Sequence, residues 1–133
     1  MYMLDTNICI YVLKNHSKQL RDKFNVTPDL AISSVVYAEL CYGIENGDSP
    51  KKQHRFDQLE LFVQGLQIIA WDKTAAEHYG KIRAELKRLG TPIGNNDLLI
   101  AALARSLMAV LVTNNVREFE RVPNLVIENW LEN

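Results

Sequence analysis

The chain is poor in cysteine, in long apolar runs and in excess charge of either sign. Its two cysteines, Cys9 and Cys41, lie far apart and outside any CxxC pair. That usage excludes a disulfide framework and leaves reduced core thiols of the kind expected in a cytoplasmic protein. No apolar stretch approaches the roughly 20 residues that a membrane-spanning helix requires, so no membrane association is expected. The opening Met1-Tyr2-Met3-Leu4-Asp5 has no basic region followed by an apolar stretch, so no signal peptide is expected. Neither GxxxxGK[ST] nor GxGxxG is present, which disfavours nucleotide-phosphate loops. His16, His54 and His78 are scattered without metal-ligand spacing, which speaks against a zinc or histidine-catalysed nuclease. Lys+Arg number 15 against 16 Asp+Glu, a formal charge of −1. A polybasic tail is therefore absent, and on net charge alone a nucleic-acid enzyme is disfavoured.

What remains is a chain of 133 residues, 47% hydrophobic and 23% charged. It is expected to form one domain over 1–133, burying roughly two-thirds of its unfolded surface. The near-zero charge hides an uneven distribution. Residues 1–50 carry −2, residues 51–92 carry +3 and residues 93–133 carry −2. A basic middle flanked by acidic segments reads either as solvated helix faces or as a phosphate-binding surface beside an acidic site. Lys51, Lys52, Arg55, Lys81, Arg83, Lys87 and Arg88 are the candidate phosphate-binding cations, which the resemblance given below would assign to RNA. Arg83 and Lys87 share a helix face, and a Glu77–Lys81 pair at i,i+4 is expected to use some of this charge locally.

Short apolar runs alternate with helical periodicities. Tyr2–Leu4, Leu30–Ile32, Leu66–Trp71, Ala109–Val112 and Leu125–Ile127 read as strands. Helices are expected over Ile8–Leu13, Val35–Glu45 and His54–Val63, then from Asp72 through Leu89 and over Asp97–Leu107. The stripe Ala75, Tyr79, Ile82, Leu86 and Leu89 follows the helical period. Asn95 or Asn96 is expected to cap the helix that carries Asp97, which is apolar nearly all round and so buried. Continuous rather than alternating apolar strands point to an α/β fold, a three-layer α/β/α sandwich around a mainly parallel sheet. In such sheets ligands gather outside the carboxyl ends of the strands.

Polar residues at those ends form an acidic set. Asp5 ends the first strand, Glu39 lies about one turn inside the helix after the second, and Asp97 opens the buried helix. Each has a structural alternative. Asp5 can cap a helix, Asp97 sits where the helix dipole favours negative charge, and only Glu39 caps nothing. Three converging carboxylates repel one another unless a cation neutralises them or one stays protonated. Hard oxygen ligands suit Mg²⁺ or Mn²⁺. Thr6, Ser33 and Thr113 supply hydroxyls that could fix ligands or touch phosphate, or could serve as caps. Trp71 and Trp130 read as packing groups.

Met3-Leu4-Asp5-Thr6-Asn7, Ile32-Ser33-Ser34 with Glu39-Leu40 and Tyr42-Gly43, and Gly94-Asn95-Asn96-Asp97 with Ile100-Ala101-Ala102 resemble the motifs of PIN-domain ribonucleases. Val112-Thr113-Asn114-Asn115, Arg117-Glu118-Phe119 and the closing Val126-Ile127-Glu128-Asn129-Trp130 resemble the bacterial VapC toxins in particular. The resemblance spans nearly the whole chain. It implies the toxin of a type II toxin-antitoxin system, a Mg²⁺- or Mn²⁺-dependent endoribonuclease that hydrolyses structured RNA such as tRNA. It further implies a VapB-type antitoxin as partner and a homodimer. By position, Asp5, Glu39 and Asp97 would be catalytic, with Asp5 and Asp97 holding the metal and Thr6, Asn7, Ser33 and Thr113 in support. The chain departs from the family at Asn115, where a fourth acid is common; Glu118, one helical turn on, could supply that carboxylate. Leu103 stands where many relatives have His. The Tyr37–Asn46 and Phe56–Val63 helices are the expected antitoxin-facing surface. Two other readings remain open, a degenerate domain that only binds RNA or antitoxin and a phospho-acceptor signalling module. The second needs a pair of acids near the first strand and a late Lys, neither of which is present.

Overall fold

Five short strands, β1 (Tyr2–Leu4), β2 (Leu30–Ser33), β3 (Gln67–Ile69), β4 (Val110–Val112) and β5 (Val126–Glu128), form one sheet in a computed structural model that describes residues 1–131. The order is β3-β2-β1-β4-β5 and every pairing is parallel. Parallel neighbours require crossovers, and helices supply them. α1 (Thr6–Leu13) and α2 (Lys18–Val26) join β1 to β2. α3 (Ser34–Glu45) and α4 (Lys52–Val63) join β2 to β3. α5 (Lys73–Leu89) and α6 (Asn95–Ser106) carry the chain back past β2 and β1 to β4, and α7 (Val116–Phe119) leads to β5. Crossovers run outward in both directions from β1, and with the right-handed sense usual for parallel units they put helices on both faces of the sheet, a three-layer arrangement.

The core follows the sequence pattern. β2 is buried along its whole length, and Leu98 and Ile100–Ala104 of α6 are buried on all sides. Leu103 is fully enclosed, so the helix has no room there for a polar group that lacks a partner. Edge position explains why Ile68 is 44% exposed despite its apolar run, since β3 has a neighbour on only one side. Leu89 departs from the expected stripe and is 61% exposed. Just beyond it Gly90 takes φ +70°, and the Thr91 N–H reaches back to the Leu86 carbonyl at 2.9 Å, which ends α5 in a left-handed turn that only glycine enters without strain.

Two elements have no counterpart in the hydrophobic pattern. α2 buries only Leu20, with Phe24 half-buried, and the Ser17 hydroxyl accepts the Leu20 N–H at 3.1 Å. α7 is a single turn. The expected asparagine cap of α6 is also corrected. Gly94 occupies the cap position without a side-chain bond, because both asparagines point their amides elsewhere. Truncating the enclosed Leu103 to Ala is expected to cost about 2–5 kcal/mol, read as a lower denaturation midpoint with an unchanged slope.

Candidate active site

The winding of the sheet reverses between β1 and β4, and the crevice beyond their carboxyl ends is where the polar residues meet. Asp5 follows β1 and caps α1: one carboxylate oxygen accepts the Ile8 N–H at 2.9 Å, the other the Thr113 hydroxyl at 2.5 Å. Asp5 is only 4% exposed, and burial pushes its carboxyl above the usual range against the opposing pull of those two donors. Thr113 is fully buried at the end of β4. Its hydroxyl donates to Asp5 and accepts the Asn115 N–H at 2.8 Å, so it ties β1 to β4 while shaping the turn that follows.

Glu39 comes from α3 and is gripped on both oxygens. Thr6 donates to Oε1 at 2.5 Å and Asn96 to Oε2 at 2.8 Å. Each gripping residue is the chain neighbour of another acid, Thr6 of Asp5 and Asn96 of Asp97. Asp97, in the first turn of α6, is pushed up to about 7 by partial burial, by a hydrogen bond with Glu118 and by the charges of Glu118, Asp5 and Glu39. Glu118 is held in turn by the Asn115 amide at 2.9 Å. The neutral side chain at 115 therefore serves a carboxylate three residues on. Cys9 lies fully buried beside this group, and burial together with the charge of Asp5 drives its thiol well up, which makes it a core residue and no nucleophile.

Four carboxylates from four elements are thus gathered in one crevice, an all-oxygen donor set whose mutual repulsion falls most heavily on Asp97. Among the described residues no three acids, histidines or cysteines already stand in a ligating arrangement. The donor chemistry nevertheless fits a hard divalent cation, since each carboxylate oxygen that accepts one hydrogen bond keeps a further lone pair.

The Ser33 hydroxyl accepts the Val36 N–H at 3.0 Å and so caps α3; Asn7 is exposed, and its backbone N–H donates to Asp5. Asn96 is the residue that sequence reasoning missed as a partner of the acids; its only signal was an amide beside Asp97. The basic residues do not form one surface. Arg55 lies near α3, Lys52 pairs with Glu45 at 3.2 Å, and α5 splits its cations between Arg83 and Lys87 on one side and Lys81 and Arg88 on another. Glu77 pairs with Lys73 at 2.9 Å and not with Lys81. His78 accepts from Arg105 and takes no part in the site.

Because Asp97 is held among like charges, Asp97→Asn is expected to stabilise the metal-free protein by about 1 kcal/mol, a rise of roughly 3–5 °C in melting temperature. Adding a divalent cation should raise the melting temperature of the parent more than that of this variant.

A model of the PIN domain family matches residues 2–125. Ribonuclease VapC2 of Rickettsia felis is 44% identical over 133 residues, which cover 98% of each chain. The tRNA(fMet)-specific endonuclease VapC of Salmonella typhimurium is 45% identical over 130 residues, 97% of each chain. The crystal structure of DNA-bound VapBC from Salmonella typhimurium matches with a TM-score of 0.91 at 45% identity, over 98% of each chain. PIN-domain nucleases in general depend on a divalent metal. With its parallel sheet and its acids gathered at the reversal point, the chain belongs to the PIN-domain family, among the VapC-type ribonucleases.

Proposed function

We propose that this chain is the toxin of a type II toxin-antitoxin pair, an endoribonuclease that hydrolyses phosphodiester bonds in structured RNA, with tRNA as the first candidate. The observation that carries the mechanism is the convergence of Asp5, Glu39, Asp97 and Glu118, crowded enough to push Asp97 up to about 7. Asp5 and Asp97 would hold a divalent cation, Mg²⁺ before Mn²⁺ on the hardness of an all-oxygen site. When bound, such a cation offsets phosphate charge and supplies a Lewis acid beside the scissile bond.

The chain's own residues do the rest. Glu39, fixed by Thr6 and Asn96, orients the attacking water and takes its proton on a carboxylate oxygen. Thr113 keeps Asp5 aimed into the crevice through the buried bond at 2.5 Å. Glu118 supplies the fourth carboxylate in place of residue 115. Water adds to phosphorus as the bond to the 3′ oxygen breaks, and that oxygen takes a proton from solvent, which leaves a 5′-phosphate and a 3′-hydroxyl.

A VapB-type antitoxin is the proposed partner. A groove of about 520 Å³ between α1, α3 and α4 has apolar walls of Ile10, Leu13, Leu40 and Ile44 and runs up to Glu39. A protein segment laid in it would cover that carboxylate, so the same contact would bind and inhibit. No helix among the described residues is long and apolar enough to cross a membrane. A tRNA substrate places the reaction in the cytoplasm.

Incubation of the protein with tRNA and Mg²⁺ or Mn²⁺ should give cuts bearing 5′-phosphates, and chelation should abolish them. Asp5→Asn and Glu39→Gln are each expected to reduce the rate by on the order of 100-fold or more with unchanged circular dichroism. Full activity in either variant would remove that residue from the mechanism. Ile44→Glu should weaken capture of the cognate antitoxin by about 10-fold or more in calorimetry; an unchanged affinity would place the partner on another surface.

A further inference from the structure

We propose that the face made by α5, the loop 90–94 and the first turn of α6 is a nucleotide subsite, which seats a residue of the RNA strand flanking the cleaved bond. The proposal rests on the endoribonuclease reading above and adds the surface that selects the substrate. A cavity of about 440 Å³ opens there, with Arg83, Lys87 and Asn95 on its rim and Leu86, Ile93 and Leu98 in its walls. That volume lies within the roughly 300–1,000 Å³ of small-ligand sites.

The chemistry of the rim matches one nucleotide. Lys73, Lys52 and Arg88 each pair with a neighbouring glutamate, whereas among the described residues neither Arg83 nor Lys87 pairs with a carboxylate. Two cations four residues apart on one helix face are thus available to a phosphodiester. Arg83 is already oriented. It donates to the Tyr79 hydroxyl at 2.8 Å, and its guanidinium lies 5.9 Å from the centroid of the Tyr79 ring. The Tyr79 hydroxyl donates onward to Asn95 Oδ1 at 3.0 Å. Trp71 supports the tyrosine edge-on at 6.1 Å and is itself anchored by its indole N–H on the Leu99 carbonyl at 2.9 Å.

This chain of contacts fixes what Asn95 can offer. With Oδ1 engaged, its Nδ2 amide is left to donate, which favours a base edge that presents an acceptor. Leu86, Ile93 and Leu98 are buried behind the rim, so the base would be met at its edge by Asn95 while Arg83 and Lys87 hold its phosphate. Asn95 also stands directly before Asn96, which grips Glu39, and two positions before Asp97.

The test has a binding arm that needs neither metal nor cleavage. Metal-free parent and the Arg83→Gln/Lys87→Gln double variant are titrated with labelled tRNA at several salt concentrations. The variant is expected to bind about 10-fold or more weakly and to show a shallower salt dependence, with unchanged circular dichroism and unchanged size on a column. In the cleavage arm, Asn95→Ala is expected to raise KM and to flatten the base preference next to the cut. Equal tRNA affinity in parent and double variant would overturn the subsite, as would a change in oligomeric size at equal affinity, which would assign the face to a protein contact. Failure of the parent to cut tRNA with either metal would instead remove the endoribonuclease reading and leave the binding arm to judge the face.

Discussion

Mutual repulsion among carboxylates is the constraint around which the upper edge of this molecule is organised. Asp5, Glu39, Asp97 and Glu118 could not be held so close without a neutral donor assigned to nearly every one of them. Thr113 serves Asp5, Thr6 and Asn96 serve Glu39, and the Asn115 amide serves Glu118. Among the described residues Asp97 alone has no neutral donor of this kind, and it is the one pushed up to about 7. The donors are uncharged, so they orient the acids without cancelling their field. Lysine or arginine at the same positions would quiet the repulsion and at the same time remove the attraction for a divalent cation.

The parallel sheet is what brings these residues to one place. Carboxyl ends of β1, β2 and β4 lie side by side, so a residue just beyond each strand is delivered to the same crevice whatever its distance in the chain. Local signals then decide its use. Asp5 just after β1 and Ser33 at the end of β2 both cap helices, and Asp5 also accepts from Thr113 across the reversal point. Position after a strand made both of them candidates; position relative to the reversal separated them.

That contrast marks how far the sequence could be read. Apolar runs and helical stripes gave the strands, the buried α6 and the order of the three acids, because burial is written directly into residue type. α2 was hidden because a surface helix that buries little beyond Leu20 and Phe24 leaves only an i,i+4 pair and a serine cap as its trace. The clamp by Asn96 was hidden for another reason. An amide near a helix start reads as a cap, and only the approach of α3 shows that its partner is Glu39. Charge pairing along α5 was misassigned because Glu77 has lysines both before and after it, and the sequence does not say which one it takes. The net charge of −1 proved uninformative, since acids gathered at one edge offset cations spread over several faces.

The bond between Asp5 and Thr113 joins residues 108 positions apart. A chain still being synthesised has Asp5, Thr6 and Glu39 long before it has the strand that holds the first of them in place. Until β4 is laid against β1, the acids lack their central support, and until α7 follows, they lack Glu118. A group of acids assembled from contacts of such long range is complete only when the chain is nearly finished. For the proposed activity on tRNA, this order defers the whole site to the end of synthesis.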